Sequence, residues 1–168
     1  MAKDVGDNPQ PRKRHRPPPR LRSFPYKGSF AYSLTICCDC RKPLLTGPDR
    51  IAKLRALLED CADKHHFQIW AYCFMPDHLH LLVSGNGDSS LKDFIKLFKQ
   101  ASGYWHKHES GEKLWQDSYF DHVLRRDEDL LRVARYVFEN ASRKGLVKNW
   151  CDHPFMGPED VVRSLDDQ

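Results

Sequence analysis

The segment from Phe67 to Ser84 constrains the fold more than any other part of the chain. It consists of two mostly apolar runs separated only by Pro76-Asp77. Aromatic and aliphatic runs of this length favour strands, and a Pro-Asp pair favours a tight turn. The segment therefore predicts two adjacent antiparallel strands, Phe67–Met75 and His78–Ser84.

Hydrophobic spacing predicts the remaining elements. Aromatic and β-branched residues indicate one strand over Phe30–Cys37 and another over Tyr119–Leu124. Apolar residues recur at helical spacing in three segments, which predicts three helices: Pro48–His65, Leu91–Lys107 and Asp127–Ser142. Thr46 and Asp49 are placed to cap the first helix.

The order of these elements is strand, helix, strand, strand, helix, strand and one added helix. This is the order of the split βαβ, ferredoxin-like α+β fold, an antiparallel sheet with helices on one face, here with an added C-terminal helix. The length of 168 residues suits one domain. We expect a disordered, Pro-rich basic arm over residues 1–25, the domain over 26–150 and a loose acidic tail over 151–168.

Positive charge is concentrated in the N-terminal arm. The whole chain has a formal net charge of +4, but residues 1–25 contain seven Lys or Arg against two Asp, so the rest is near neutral. Such an arm either keeps the protein soluble or contacts nucleic-acid phosphates. The arm residues that would contact DNA are Arg12, Lys13, Arg14, Arg16 and Arg20.

Neither a membrane span nor an export signal is apparent in the sequence. No run approaches the roughly 18 apolar residues of a spanning helix, and the N-terminus lacks the apolar segment of a secretory signal. We therefore expect a cytoplasmic protein with no membrane partner and with reduced cysteines. Cys37, Cys38 and Cys40 lack the second spaced pair that zinc sites use, which favours ordinary thiols.

His78 and His80 are polar residues within an apolar strand. Because strand side chains alternate, both face one side of the sheet while Leu79 and Leu81 face the helices. Residues two apart on a strand lie about 6.5–7 Å apart at Cα, so two imidazoles can bind one metal ion. They can equally be hydrogen-bonded histidines on a solvated face, and both interpretations stay open.

Tyr136 and Asn140 lie off the apolar stripe of the last long predicted helix. Their spacing of four places them on one face, one turn apart. Arg132, Arg135 and Arg143 flank this face and would favour a phenolate or attract a phosphate. A partly exposed packing tyrosine is the competing interpretation.

Lys92, Lys96 and Lys99 occupy one flank of the second predicted helix. They either follow a DNA backbone or form an ordinary solvated face. Trp115, Tyr119 and Phe120 are aromatic residues that either stack unpaired bases or belong to the core.

Three motifs together resemble the single-tyrosine HUH transposases, and within them the REP-associated tyrosine transposases of bacteria. They are "AYCFMPDHLHLLVSG" at 71–85, "LWQDSYFDHVLRRDEDLLRVARYVFEN" at 114–140 and "RKGLV" at 143–147. The resemblance extends from about Tyr26 to Trp150. Two positions depart from the family pattern: Asp77 stands where the family commonly has Asn, and Ala141 follows Asn140 where it usually has Pro.

The resemblance implies a site in which His78 and His80 bind Mg²⁺ or Mn²⁺, Asn140 adds a ligand and Tyr136 is the nucleophile. Family members cut single-stranded DNA beside a hairpin, form a 5′-phosphotyrosine and later rejoin strands without a nucleotide cofactor. Arg132 and Arg143 are further candidates for DNA contact. The alternatives are a hairpin-binding protein that has lost cleavage and an unrelated metal hydrolase. The resemblance allows a monomer or a homodimer.

Overall fold

The computed structural model describes residues 24–125 and 129–167. Its strands form one antiparallel sheet in the order β4-β1-β3-β2-β5. The strands are β1 (Ala31–Cys37), β2 (Phe67–Met75), β3 (His78–Gly85), β4 (Phe120–Val123) and β5 (Met156–Gly157). The α-helices are α1 (Pro48–Lys64), α2 (Leu91–Ser110), α3 (Leu130–Arg143) and α4 (Glu159–Asp166), and short 3-10 helices cover Asp39–Arg41 and Trp150–Asp152.

This architecture confirms the predicted element order and the ferredoxin-like α+β fold. The predicted cap of α1 is wrong, because Gly47 occupies the N-cap with a φ of 87° and no side chain there accepts a hydrogen bond. Pro48 takes the first helical position, where its missing N–H costs nothing. Helix α3 begins at Leu130, and the Asp129 side chain accepts a hydrogen bond from the Leu131 backbone N–H at 2.9 Å.

The sheet separates two apolar layers. Helices α1 and α2 cover one face, where Leu79, Leu81 and Val83 of β3 are fully buried. Helix α3 covers the opposite face, where its Phe138 packs in one cluster with Met75 and other small apolar residues of β2. Each such buried side chain contributes about 1.5–3 kcal/mol. The prediction that Leu79, Leu81 and Val83 face the helices is confirmed for α1 and α2, whereas Leu82 lies on the opposite face with the histidines, as alternation predicts.

The expectation of a loose C-terminal tail is wrong. Strand β5 pairs with β2 through the Tyr72–Gly157 and Cys73–Met156 partners, so the chain returns to the sheet edge. In α4, Leu165 is only 3% exposed and joins the apolar layer of α3. Trp150 stacks on Phe138 at 5.7 Å between ring centroids. These apolar residues bury themselves even though the segment is acidic, so the packed fold continues past Trp150.

Two other predictions concern the arm and the membrane. The arm residues predicted to contact DNA, from Arg12 to Arg20, lie outside the described residues. Packed structure is already present at Tyr26, which is 2% exposed. No helix in the described part of the chain combines the length and apolar character needed to cross a membrane.

Candidate active site

His78 and His80 converge on one point at the centre of the sheet. Their strand, β3, lies between β1 and β2, so both its edges are hydrogen-bonded. Alternation along the strand places both imidazoles on the face that α3 covers, together with Cys73 and Met75, their cross-strand partners. The two Nε2 atoms are 3.0 Å apart.

The outer nitrogen of each imidazole has its own partner. His78 Nδ1 lies 2.6 Å from Asp77 Oδ1, and because a carboxylate only accepts, Nδ1 carries the hydrogen and Nε2 keeps its lone pair. His80 Nδ1 lies 3.2 Å from the Thr35 hydroxyl, which can donate or accept and therefore suits either tautomer. Partners of this kind hold metal-binding histidines in orientation.

Burial keeps both imidazoles neutral. It lowers the pKa of His78, against the opposing effect of the Asp77 carboxylate. Burial lowers the pKa of His80 to about 4, with further lowering from His78, Arg41 and Lys144. Neutral imidazoles present the lone pairs that a metal ion requires.

Arg41, in the 3-10 turn after β1, forms an ion pair with Asp77. Its Nε lies 2.8 Å from Asp77 Oδ2, and its terminal NH1 donates to Cys37 Sγ at 2.9 Å. The backbone reaches this position through two successive left-handed residues, Cys40 at a φ of 51° and Arg41 at 57°. Such residues each cost on the order of 1 kcal/mol, so the surrounding contacts hold this turn.

Helix α3 presents Tyr136 and Asn140 differently from one another. Tyr136 is 51% exposed, whereas Asn140 is only 7% exposed and lies closer to the sheet than the sequence pattern predicted. The Asn140 side-chain nitrogen donates to the Tyr136 carbonyl at 2.9 Å and to the Val137 carbonyl at 3.3 Å. Both bonds use the side-chain nitrogen of Asn140 and not its oxygen.

Lys144 places a positive charge near the histidine pair at the end of α3. It is the C-cap of α3, and its charge lowers the pKa of both His78 and His80, which requires it to lie near them. Tyr136, Asn140 and Lys144 are spaced by four and share one face of the helix. Helix α3 and the histidine pair therefore lie on the same side of the sheet.

The arginines near Tyr136 have different roles. The Arg143 guanidinium stacks over the Tyr136 ring at 4.5 Å from its centroid and pairs with Glu139 at 2.8 Å. Arg132 is exposed one turn before the tyrosine. Arg135 instead donates to the Leu165 carbonyl and lies over Trp150, so it joins α3 to the C-terminal segment.

Comparison with known proteins identifies the family. The family model described as "Transposase IS200 like" matches residues 27–140. The chain belongs to this transposase family. It is 30% identical over 150 residues to the REP-associated tyrosine transposase of Escherichia coli strain K12, covering 86% of each chain. It is 31% identical over 102 residues to the ISDra2 transposase TnpA of Deinococcus radiodurans, covering 56% of this chain and 72% of that one.

A solved structure agrees with this assignment. The structure of a REP-associated tyrosine transposase bound to a REP hairpin matches with a TM-score of 0.70 at 25% identity, covering 83% of this transposase and 84% of that chain. The resemblance inferred from the three sequence motifs is thereby confirmed.

The histidine pair of the transposase fits a divalent ion. Two nitrogen ligands about 2.1 Å from one ion and at right angles are about 3.0 Å apart, which is the Nε2 separation observed. Among the described residues, no group of three or more His, Cys, Asp and Glu side chains forms a metal cluster. Asn140 as a further ligand stays a prediction. Mg²⁺ or Mn²⁺ stays a prediction.

The cysteine cluster of the transposase has a structural environment. Burial raises the pKa of the Cys38 thiol to about 12, so it stays protonated at neutral pH. Cys37 is buried and accepts the hydrogen bond from Arg41, while Cys40 is exposed. Cys37 therefore helps to position Arg41, which pairs with Asp77 beside the histidine site, and sequence reasoning did not assign this role.

The predicted DNA-contacting lysines lie on α2, which packs on the opposite face of the sheet from α3. Lys92 lies over the Tyr26 ring at 5.3 Å, and Lys99 donates to backbone carbonyls. Their DNA contacts stay predictions. Trp115 is 3% exposed and donates to the Ser102 hydroxyl, so the core interpretation of this aromatic is the correct one.

Sequence reasoning missed two members of the site, Thr35 and Arg41. Both come from β1 or the turn after it, some forty residues before the histidines, and no local pattern connects them to β3. Asp77 carried a local signal, because a carboxylate beside a metal-binding histidine can hold its ring.

Proposed function

We propose that the chain is a metal-dependent transposase that cuts single-stranded DNA beside a hairpin and rejoins strands through a 5′-phosphotyrosine. The observation that carries this proposal is the convergence of His78 and His80 on one point, on the sheet face that α3 covers. The names of the relatives and the REP hairpin bound by the solved neighbour support the same function.

His78, His80 and Asn140 would hold the ion, which when bound polarises the scissile phosphate and offsets charge that develops in the transition state. Asp77 and Thr35 keep the two imidazoles in the orientation that exposes Nε2. Lys144 adds a positive charge near the pair, which suits a site for an anionic phosphate.

Tyr136 would perform the covalent step. Its phenolic oxygen attacks phosphorus, the bond from phosphorus to the 3′ oxygen breaks, and the proton lost by the phenol balances the one gained by the departing 3′ hydroxyl. Later a 3′ hydroxyl attacks the phosphotyrosine, restores the phenol and rejoins the strand. Each step exchanges one phosphate ester for another, so no nucleotide cofactor is required.

The surroundings of Tyr136 suit this role. A side chain that is 51% exposed can reach a polymeric substrate, whereas a core tyrosine could not. The guanidinium of Arg143 over its ring would favour a developing phenolate or bind a neighbouring phosphate. Arg132, one turn away on the same helix, would add a second phosphate contact. The proposed site is that of one chain, in which α3 packs on the sheet of the same chain.

A covalent-capture experiment tests the proposal. Labelled hairpin-bearing single strands are incubated with the protein and Mn²⁺, and adducts that resist denaturation are separated on a gel. We expect an adduct from the wild type and none from Tyr136→Phe, with DNA binding retained. Tyr32→Phe is the matched control, because its buried hydroxyl has no hydrogen-bond partner among the residues that the structure describes, and its loss should leave the fold and the adduct unchanged.

The other outcomes separate the alternatives. Binding by the wild type without an adduct, across metals and hairpin sequences, would favour a hairpin-binding protein without cleavage. A free nicked product that persists in Tyr136→Phe would favour a metal hydrolase that needs no covalent intermediate.

A further inference from the structure

A cavity of about 780 Å³ lies between α2 and the segment 111–119 that follows it. We call it the lysine groove, because its lining includes five lysines and only one acidic residue, Asp117. The lysines are Lys92, Lys96, Lys99, Lys107 and Lys113. The sequence predicted three of these as one flank of a helix, but not the opposite wall or the cavity between them.

The two walls of the groove are fixed to each other. Lys99 crosses from α2 and donates to the Gln116 carbonyl at 2.6 Å and to the Asp117 carbonyl at 3.0 Å. Trp115 crosses in the other direction and donates to the buried Ser102 hydroxyl at 2.8 Å. A ligand would therefore meet a groove that is already formed, so binding would not have to order its walls.

Only some of the lysine charges in the groove are balanced by contacts within the protein. Lys113 pairs with Asp117 at 2.6 Å, and Lys99 is held by carbonyls. Lys96 and Lys107, by contrast, form no ion pair among the described residues. They are eleven residues apart on α2, about 16 Å along the axis. This spacing suits an extended polyanion better than a single small anion.

Two lining residues of the groove, Gly103 and Tyr104, are unexpected on a helix surface. We call the open surface at Gly103 the floor of the groove. A glycine inside a helix costs about 1 kcal/mol relative to alanine, yet a Cβ at Gly103 would meet nothing within 4 Å, so packing does not require it. Beside it, Tyr104 is 75% exposed. An open floor next to an exposed ring is the arrangement on which an unpaired base can stack.

The second wall of the groove is bonded to the end of β1, the strand that pairs with the histidine strand, and the histidines lie on the opposite face of the sheet. The Gln116 backbone N–H donates to the Cys37 carbonyl at 2.9 Å, and Trp115 forms a bridge with Cys38. Cys37 is in turn the cross-strand partner of His78. A strand of DNA leaving the site could pass around this end of the sheet and continue in the groove.

We propose that the lysine groove binds the single-stranded DNA that flanks the hairpin, with phosphates at Lys96 and Lys107 and an unpaired base on Tyr104. The combination of a positive groove with an exposed aromatic ring is what sequence-tolerant single-strand binding uses. The inference rests on the proposed function, because that function supplies a DNA substrate with an unpaired flank.

Binding measurements test the groove without requiring cleavage. The Tyr136→Phe protein is titrated with two fluorescent probes, a hairpin with a single-stranded tail and a blunt hairpin with the same stem, at several salt concentrations. For the tailed probe, adding Lys96→Gln and Lys107→Gln should reduce the slope of log affinity against log salt by about 1.4, or about 0.7 per phosphate contact. The blunt probe should be unaffected, and Lys53→Gln, exposed on α1, should change neither.

Two further variants examine the ring and the floor. Tyr104→Ala should weaken binding of the tailed probe roughly 5- to 150-fold, while Tyr104→Phe keeps the ring and should keep the affinity. Gly103→Leu should raise the thermal midpoint, because leucine favours a helix, and yet weaken the tailed probe by filling the floor. A merely structural glycine would not separate these two effects.

Specific results would overturn the inference. Equal losses for both probes would assign the groove to the duplex stem, and unchanged affinities in the lysine and tyrosine variants would remove DNA from it altogether. The covalent-capture experiment tests the proposed function separately. If no adduct forms but the tail-specific losses are seen, the proposed cleavage is refuted and the groove still binds the DNA tail. If an adduct forms without those losses, the cleavage is supported and the inference about the groove is refuted.

Discussion

Asp77 offers the sharpest test of how the histidine pair is held. Its two oxygens serve two different donors, His78 Nδ1 at 2.6 Å and Arg41 Nε at 2.8 Å. Asparagine has nearly the same shape but only one side-chain oxygen, so Asp77→Asn cannot present a separate oxygen to each donor. If that oxygen stays with Arg41, the new NH₂ group faces His78 Nδ1, which must then become an acceptor.

This exchange changes the tautomer of His78. A neutral imidazole that accepts at Nδ1 carries its hydrogen on Nε2, the atom that lies 3.0 Å from His80 Nε2. The lone pair proposed to bind the ion is then lost until the ring reverts. Removal of such an outer partner typically costs 10- to 100-fold in metal affinity, which corresponds to about 1.4–2.7 kcal/mol.

The assay is a Mn²⁺ titration followed by the electron paramagnetic resonance signal of the free ion. We expect the dissociation constant of Asp77→Asn to rise 10- to 100-fold, and the rate of adduct formation to recover when Mn²⁺ is saturating. Asp60→Asn is the control, because Asp60 lies in an exposed pair with Lys64 on α1. An unchanged Mn²⁺ affinity, or an adduct rate that stays low at saturation, would refute the role assigned to Asp77.

Three other predictions concern stability. Phe138→Ala should lower the free energy of unfolding by about 3–5 kcal/mol in urea titrations, because this fully buried ring holds α3 against the sheet; a loss below about 1 kcal/mol would contradict that packing. Leu165→Ala should cost about 2–5 kcal/mol if the C-terminal segment belongs to the fold, and a loose tail would show no change. The pKa of His80 is about 4 in the fold against 6.5 in the unfolded chain, so the unfolded state binds a proton first as pH falls. Metal-free stability should therefore decline between pH 6.5 and 4, by at most about 1.4 kcal/mol per pH unit from this group, and His80→Gln should remove that part of the slope in urea midpoints.

Local patterns were sufficient for the sheet and for the direction of its histidines. Alternation along β3 assigns Leu79 and Leu81 to one face and His78 and His80 to the other without knowledge of any distant contact. The orientation of α3 was less predictable. Its apolar stripe shows that one side is buried but not against which face of the sheet, and Asn140 proved more buried than its angle on the helix indicated.

The contacts that orient the imidazoles were beyond local pattern reasoning. Thr35 is 45 residues from His80, and Arg41 reaches Asp77 only through a left-handed turn that no residue type in the sequence demands. The C-terminal segment, in contrast, carried a usable signal. Val161 and Leu165 are spaced by one helical turn, which predicts one apolar side for α4 despite its acidic neighbours.

The position of β3 has a consequence for how the two halves of the site move. A strand that is hydrogen-bonded along both edges exposes its amides to solvent only when a large part of the sheet unfolds. The backbone amides of His78 and His80 should therefore be among the slowest of the described residues to exchange hydrogen for deuterium. Tyr136 belongs instead to a helix laid over the outside of the sheet. The backbone that carries the imidazoles should therefore open less often than the helix that carries Tyr136.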